Sequence, residues 1–240
     1  MENGALAPQT KVILFTSCKG GVGKTTVCAN LAMSLAMMKK RVLLIDCDFG
    51  NRCLDLVLGL SDQSLYDIGD VISRRIPPEQ AIIQDERNEN LYFVAAPYSF
   101  DNRMSKYAFQ SIIYGYRDSG AFDFIFLDTP GGIGEPLMLS ASVADTAYII
   151  VSPTKAAIRA AERTACFLQE RNVARQRLII NKFCGDRAER AKAEVIDMVE
   201  STSVRLIGVV PYDPELIYAG DEGALTDELF SRNLTHAFDN

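Results

Sequence analysis

The stretch TSCKGGVGKTT, residues 16–26, constrains the fold of this chain more than any other part of its sequence. An apolar, β-branched run, KVILFTS (11–17), precedes it. A helical pattern, TTVCANLAMSLAMM (25–38), follows and ends in the cationic sequence KKR. A glycine-rich loop between a strand and a helix is the context of a phosphate-binding loop, because backbone N–H groups and the helix N-terminus both face an anion there.

The loop departs from the usual phosphate-binding pattern at its beginning. That pattern is Gly-x-x-x-x-Gly-Lys-Ser/Thr. Gly23, Lys24 and Thr25 fit its end, but Cys18 stands where the first glycine is expected and Lys19 follows it. Lys24 is placed to reach the β- and γ-phosphates, and Thr25 to coordinate Mg²⁺. The predicted nucleotide-binding residues of the loop are Gly20, Gly21, Val22, Gly23, Lys24, Thr25 and Thr26.

Cys18 supports two interpretations. A thiol in a cationic loop beside a helix N-terminus can be activated as a thiolate, which raises the hypothesis of redox control. The alternative is a small side chain that the loop tolerates.

Five further apolar runs lack an alternation of polar and apolar residues, which suits strands that are buried on both faces, as in a parallel sheet. They cover residues 41–48, 122–128, 146–152, 176–181 and 204–210. Helical patterns over 154–171 and 186–200 alternate with them. We therefore predict an α/β fold, a single P-loop NTPase domain over residues 1–240, with a mostly parallel β-sheet flanked by helices on both faces. Residues 1–10 are predicted to be a flexible N-terminal extension.

The region between residues 60 and 120 is less regular. The stretch 81–97 is predicted to form two strands around a polar loop. The stretch 104–120 is predicted to form a helix that ends at Gly120.

Composition and charge narrow the class of protein. Of the 240 residues, 48% are apolar, which is enough for a large core. The net charge of −6 disfavours a surface that binds nucleic acid by charge alone. No apolar run reaches the ~18 residues of a membrane span, and the opening sequence MENGALAPQT is not typical of an export signal. With six cysteines and no C-x-x-C pair, we expect reduced thiols and a cytoplasmic protein.

Acidic residues end two of the predicted strands. Asp46 and Asp48 lie in LLIDCDFGNRCLDLVLG (43–59), and Asp128 lies in FIFLDTPGGIG (124–134). Ligands of parallel sheets bind outside the carboxyl ends of the strands, so these carboxylates are predicted to lie near the phosphate loop. An apolar strand that ends in Asp matches the Walker B pattern, whose carboxylate holds Mg²⁺ directly or through water.

Together these motifs resemble the MinD/ParA family of ATPases. KGGVGKTT is similar to the deviant Walker A sequence of that family, DFGNRCLD to its first switch, and TPGGIG (129–134) to its second. The resemblance covers residues 12–225 and is nearest to the MinD branch. It implies that Lys19 reaches the phosphates of a partner's nucleotide across a dimer, that Asp48 orients the attacking water, and that Asp46 lies near Mg²⁺. A cation supplied in trans accelerates phosphoryl transfer by ~10³–10⁵ in other phosphate-loop enzymes.

Two later segments resemble the base-binding parts of the same family, IINKF (179–183) and GVVPYD (208–213). Asn181 can present both a donor and an acceptor to an adenine edge. The resemblance places Pro211 and Tyr212 as walls around the base. An asparagine directly after a strand is also a common turn former, so this alternative stays open for Asn181.

The resemblance implies an Mg²⁺-dependent ATPase that binds ATP or ADP and acts as an ATP-driven dimerisation switch. The implied role is spatial regulation, such as septum-site selection in cell division, with a homodimer and a regulatory protein as partners. One alternative is a ParA-type partitioning ATPase on DNA, for which RNVARQR (171–177) is the best basic candidate. Another is a metallocluster carrier or reductase of the same fold, which would use paired cysteines.

Membrane-binding members of the family end in an amphipathic helix rich in lysine and apolar residues. In LFSRNLTHAFDN (229–240), Phe230, Leu234 and Phe238 have helical spacing, but a single arginine is the only strongly basic residue. We therefore expect no such tail in this sequence. Peripheral association with the inner face of the cell membrane stays open.

Overall fold

The structure is a computed structural model that describes residues 9–17, 19–99, 105–184, 188–216, 223 and 225. Within these residues the chain forms one eight-stranded sheet. The strands are β1 (Lys11–Ser17), β2 (Val42–Asp46), β3 (Ile83–Gln84), β4 (Leu91–Val94), β5 (Phe124–Gly131), β6 (Thr146–Val151), β7 (Gln176–Phe183) and β8 (Leu206–Pro211). Their order is β3-β4-β2-β5-β1-β6-β7-β8, and only β3 pairs antiparallel with its neighbour. The predicted mostly parallel sheet is confirmed.

Seven α-helices occur in the described ranges. They are α1 (Lys24–Met37), α2 (Leu54–Leu58), α3 (Ile68–Ile72), α4 (Lys106–Asp118), α5 (Glu135–Ala141), α6 (Lys155–Gln169) and α7 (Ala188–Thr202). Short 3-10 helices cover Ser61–Gln63 and Pro78–Ala81. The predicted helices correspond to α1, α4, α6 and α7, each within two residues at either end. None of the described helices has both the length and the apolar character that crossing a bilayer requires.

The central strands are apolar along most of their length because helices cover the sheet on both faces. Leu14 and Phe15 are adjacent in β1 and fully buried, but they belong to different core clusters on opposite faces. Leu31 of α1 packs in the cluster of Phe15, and Leu168 of α6 packs in the cluster of Leu14. Each buried side chain of this size contributes roughly 1.5–3 kcal/mol. The prediction of helices on both faces is confirmed.

The sheet brings the predicted site residues to one edge. Strands β2, β5 and β1 are neighbours, and all three run in the same direction. The register pairs Asp46 with Asp128, and it pairs Ser17 with Gly131. The phosphate loop that follows β1 therefore begins beside the two carboxylates, as expected at the carboxyl ends of parallel strands.

Three sequence predictions fall outside the described residues. They concern residues 1–8 of the N-terminal extension, the Cys18 thiol, and the helical spacing within 229–240. Thr10 is described and is buried, and its hydroxyl donates to the carbonyl of Phe122 at 2.6 Å. This contact fixes the beginning of β1 against the strand β5 region.

Candidate nucleotide-binding site

The phosphate loop connects β1 to α1, as predicted. Gly21 and Gly23 have left-handed backbones, with φ of 75° and 84°. Gly23 is also enclosed, since a Cβ at this position would collide with Nδ2 of Asn181. Helix α1 begins directly after Gly23, and no side chain caps it. Its first backbone N–H groups therefore remain available to an anion.

Lys24, Thr25 and Asp128 form one hydrogen-bonded group. The Nζ atom of Lys24 donates to Oδ1 of Asp128 at 2.7 Å, and the Thr25 hydroxyl donates to Oδ2 at 2.8 Å. Lys24 and Asp128 are only 6% and 1% exposed. Burial lowers the pKa of Lys24, but the charge and hydrogen bond of Asp128 outweigh this and raise it. The structure thus brings together the predicted phosphate-binding lysine and two predicted Mg²⁺ ligands.

Asp46 lies on the neighbouring strand and is fully buried. Its carboxylate accepts hydrogen bonds from the backbone N–H groups of Asp48 at 2.8 Å and Leu54 at 3.1 Å. Burial and the nearby negative charge of Asp128 raise the pKa of Asp46 to about 8, against the effect of these hydrogen bonds. The Asp46 carboxyl therefore resists ionisation beside the Asp128 carboxylate, which is paired with Lys24.

The residues at this edge fit a bound Mg²⁺ ion. Thr25 offers a hydroxyl and Asp128 and Asp46 offer carboxylates, all hard oxygen ligands of the kind that Mg²⁺ prefers. Among the described residues, no group of three or more His, Cys, Asp or Glu side chains could hold a metal by itself. In nucleotide sites, Mg²⁺ takes one or two carboxylates together with phosphates and water.

Asp48 occupies the loop after β2 and is half-buried. Its Oδ1 accepts a hydrogen bond from Nδ2 of Asn51 at 2.9 Å, and its carbonyl accepts from the N–H of Arg52 at 3.0 Å. Burial raises the pKa of the Asp48 carboxyl, and the Asn51 hydrogen bond opposes this. Asp48 is thus held near Asp46 but keeps one carboxylate oxygen without a hydrogen bond to any described residue. That oxygen is free to orient a water molecule.

Lys19 stands apart from this network. Its side chain is exposed, and it makes no ion pair or hydrogen bond with any described residue; only its carbonyl accepts a bond, from the Ser17 hydroxyl at 3.1 Å. The segment predicted as the second switch packs against the same loop. A Cβ at Gly131 would lie 3.1 Å from the backbone nitrogen of Gly20, and the N–H of Gly132 donates to the carbonyl of Ser17 at 2.8 Å.

A cavity of about 500 Å³ opens beside the phosphate loop. Gly21 and Gly23 of the loop and Thr26 of α1 line it. Pro211 and Tyr212, the predicted walls of the base site, line it as well. The cavity therefore joins the predicted phosphate and base sites and is large enough for a nucleoside.

Two consecutive residues of β7 brace the loop from the side of the cavity. Nδ2 of Asn181 donates to the carbonyl of Val22 at 2.8 Å, and Nζ of Lys182 donates to the carbonyl of Gly21 at 2.9 Å. Because the carbonyl groups of Gly21 and Val22 are held towards β7, the backbone N–H groups of the loop can point to its inside, where a phosphate would bind. Asn181 was predicted to contact adenine; one of its donors is used by the loop, while Oδ1 is available to a base.

Sequence reasoning missed several residues of the site. Lys182 has a left-handed backbone with φ of 58°, in a strand whose register shifts at this point, and no motif marked it. Arg52 and Asp55 form a buried ion pair at 2.6 Å directly after Asp48. Their spacing of three residues within the first-switch motif is a signal that could have revealed the pair.

The fold and the site together define a P-loop NTPase. The defining features are a mostly parallel sheet, a glycine-rich loop directly before a helix, and an aspartate at the end of a strand that pairs with the lysine of the loop. Residues 9–239 match the family model described as ParA, an NUBPL iron-transfer P-loop NTPase. The septum site-determining protein MinD of Bacillus subtilis is 35% identical over 217 residues, which are 89% of this chain and 80% of that protein. The chain belongs to the ParA/MinD family.

Solved structures agree with this assignment. A chain of the MinC:MinD cell division protein complex of Aquifex aeolicus has a TM-score of 0.88 and 31% identity, covering 96% of this chain and 97% of that chain. MinD of Pyrococcus horikoshii, complexed with Mg-ADP, has a TM-score of 0.78 and 25% identity, covering 94% of this chain and 93% of that chain. ATP hydrolysis as the class of activity, and ATP or ADP with Mg²⁺ as cofactors, are confirmed at the level of the family.

Proposed function

We propose that this protein is an ATPase that works as an ATP-driven dimerisation switch in the spatial regulation of cell division. The observation that carries the proposal is the exposed side chain of Lys19, which lies in the phosphate loop and has no partner among the described residues. A second copy of the chain offers a partner for it, the phosphates of that copy's nucleotide. The finished active site would then need two chains.

The residues of a single chain supply the remaining roles. Lys24 and the N–H groups at the beginning of α1 bind the β- and γ-phosphates. Asp48 holds the attacking water with its free carboxylate oxygen. Thr25 and Asp128 would hold Mg²⁺, with Asp46 nearby; when bound, the ion would offset the negative charge that develops in phosphoryl transfer. Asn181, Pro211 and Tyr212 contact the base.

Gel filtration with light scattering tests the switch. Asp48→Ala should bind ATP and accumulate as a dimer, because dimerisation does not need the water that Asp48 orients while hydrolysis does. Asp118→Asn, an exposed aspartate on α4, is the matched control and should behave as the unaltered protein does. An Asp48→Ala protein that stays monomeric with ATP bound would contradict the proposal.

One solved relative supports a regulatory protein partner. The Aquifex aeolicus structure is a MinC:MinD complex, so we propose that a protein of similar kind reads the ATP-bound dimer. We further propose a cytoplasmic location with association at the inner face of the cell membrane. Flotation of the full native protein with anionic vesicles, with ATP and with ADP, tests this; equal recovery with both nucleotides would contradict a nucleotide-controlled location.

DNA partitioning is the less favoured function. Arg171, in the basic segment predicted for DNA, is engaged with its own helix: its guanidinium lies 3.4 Å from the ring centroid of Phe167, and Nη1 lies 3.5 Å from Oε2 of Glu170. Arg177 donates to the neighbouring carbonyl of Gln176. ATP-dependent, salt-sensitive binding to random duplex DNA would favour DNA partitioning over the proposed role in cell division.

Iron transfer is a second candidate, because the matched family model carries that description. A cluster carrier of this fold needs paired cysteines, and the chain has no C-x-x-C pair. Of the described cysteines, Cys28 and Cys47 are buried, and burial raises the pKa of both thiols, which disfavours thiolate ligands. Iron analysis of protein purified without oxygen distinguishes the two functions, and bound iron would favour transfer.

A further inference from the structure

Arg87 joins two segments that are distant in sequence. Its Nε and Nη2 atoms donate to Oδ1 and Oδ2 of Asp85 at 2.9 and 2.6 Å. Nη2 also donates to the carbonyl of Leu58, the last residue of α2, at 2.7 Å. Nη1 donates to the carbonyl of Gly223, 136 positions away in the chain, at 2.7 Å. One guanidinium thus holds two backbone segments against a carboxylate that is 2% exposed.

We call these hydrogen bonds of Arg87 the clamp. Beside it, the backbones of Gly59 and Gly223 approach each other closely. A Cβ at Gly223 would lie 2.6 Å from Cα of Gly59, and a Cβ at Gly59 would lie 3.2 Å from the carbonyl oxygen of Gly223. Both residues also have left-handed backbones, with φ of 67° at Gly59 and 65° at Gly223. A side chain at position 223 would therefore push the two segments apart.

Helix α2 reaches the nucleotide cavity, where Leu56 and Val57 are lining residues. Arg87 does not line the cavity itself; its hydrogen bond to the carbonyl of Leu58 holds the end of α2. Gly223 also packs on this helix, since a Cβ at position 223 would lie 3.5 Å from the carbonyl oxygen of Leu56.

We infer that Arg87 is a positioning residue that holds α2 in the wall of the cavity and thereby sets the affinity for the base and ribose of the nucleotide. The inference rests on the proposed nucleotide site. The phosphate part of that site is built differently, on the loop, α1 and the Lys24–Asp128 pair, none of which Arg87 contacts. Loss of the clamp should therefore weaken nucleoside contacts and spare phosphate contacts.

Calorimetric titration with Mg-ADP and with Mg-pyrophosphate separates these two contributions. We expect Arg87→Ala to weaken ADP binding roughly tenfold, because the end of α2 is no longer held in place, and to change pyrophosphate binding by less than about twofold. Gly223→Ala should give the same pattern without leaving the Asp85 carboxylate unpaired. Arg75→Ala is the control, since it removes an exposed arginine that pairs with Asp70 and should change neither affinity.

Unchanged ADP affinity in Arg87→Ala, or an equal loss of ADP and pyrophosphate binding in both variants, would overturn the inference. An equal loss would mean that the clamp supports the whole fold rather than the nucleoside wall. Failure of the proposed function looks different: the unaltered protein would bind neither ligand, or would bind ADP without hydrolysing ATP. The ratio of the two affinities is therefore independent of whether the protein hydrolyses ATP or dimerises.

Discussion

The ammonium group of Lys24 lies 2.7 Å from Oδ1 of Asp128, in a position where both side chains are almost fully buried. The two residues are separated by 104 positions in the sequence. Their contact connects the beginning of α1 to the end of β5, so the phosphate loop and the predicted metal ligand are one electrostatic unit. A ligand that drew Lys24 away would leave the charge of Asp128 uncompensated, and a divalent cation bound with a phosphate would offset that charge.

Removal of Lys24 should destabilise the metal-free protein. Lys24→Ala leaves Asp128 as a buried, unpaired carboxylate, so we expect the free energy of unfolding to fall by about 3 kcal/mol. Urea denaturation in the presence of a chelator measures this. The double variant Lys24→Ala with Asp128→Asn should recover part of the loss, because it removes the unpaired charge. A single variant as stable as the unaltered protein would contradict the buried pair.

Lys19 should be dispensable for folding and required in the dimer. Because its side chain is exposed and unpaired within the described chain, Lys19→Ala should leave the urea midpoint unchanged. It should abolish ATP-driven dimerisation, hydrolysis or both, which light scattering and phosphate release measure. Lys40→Ala, another exposed lysine, is the control and should leave both unchanged. Full ATPase activity in the Lys19 variant would refute a role in trans.

Asp46 should make the stability of the metal-free protein depend on pH. Its pKa of about 8 in the folded chain lies above its usual value of 3.8, so the folded state holds a proton that the unfolded state has lost between these values. The contribution of Asp46 to the free energy of unfolding therefore falls as pH rises from about 4 to about 8, by at most ~1.4 kcal/mol per pH unit. Unfolding measured at several pH values in chelator should show a flatter dependence for Asp46→Asn.

The control for this measurement is Asp118→Asn, because Asp118 is exposed and should leave the pH dependence as it is. The slope is the quantity to compare, since an asparagine at position 46 also alters one of the two backbone hydrogen bonds. Identical slopes in Asp46→Asn and the unaltered protein would show that another group holds the proton.

Gly23→Ala should abolish nucleotide binding. A Cβ there would collide with the Asn181 amide, and the left-handed backbone at Gly23 is unfavourable for any other residue. Fluorescent ADP binding should fall by at least roughly a hundredfold, because the loop can no longer keep its N–H groups convergent. Gly120→Ala is a useful comparison: φ is also positive, at 66°, but nothing lies within 4 Å of its Cβ position, so only a small loss of stability is expected.

Much of this architecture could be predicted from the sequence because it depends on local patterns. The run 11–17 coincides with β1, since an unbroken apolar run has few alternatives between two helical layers. Asp46 and Asp128 could be placed together because parallel strands end at one edge. Helix α2 was missed, since five residues are too few for a helical period to show.

The contacts that shape the base cavity could not be predicted in the same way. Arg87 reaches a carbonyl 136 residues away, and Lys182 one that is 161 residues away. Both bind backbone carbonyls, which every residue has, so no partner residue type marks the contact in the sequence. The left-handed backbones at Lys182 and Arg52 likewise follow from the tertiary environment rather than from side chains that favour them.

The exposed Lys19 has a consequence for how activity scales with the amount of protein. If each catalytic centre needs Lys19 from another molecule, the rate per molecule rises with protein concentration and approaches zero on dilution. The activity of such an enzyme depends on the local concentration of the enzyme itself. A small difference in accumulation between two places in a cell would then become a larger difference in turnover, without any receptor to report position.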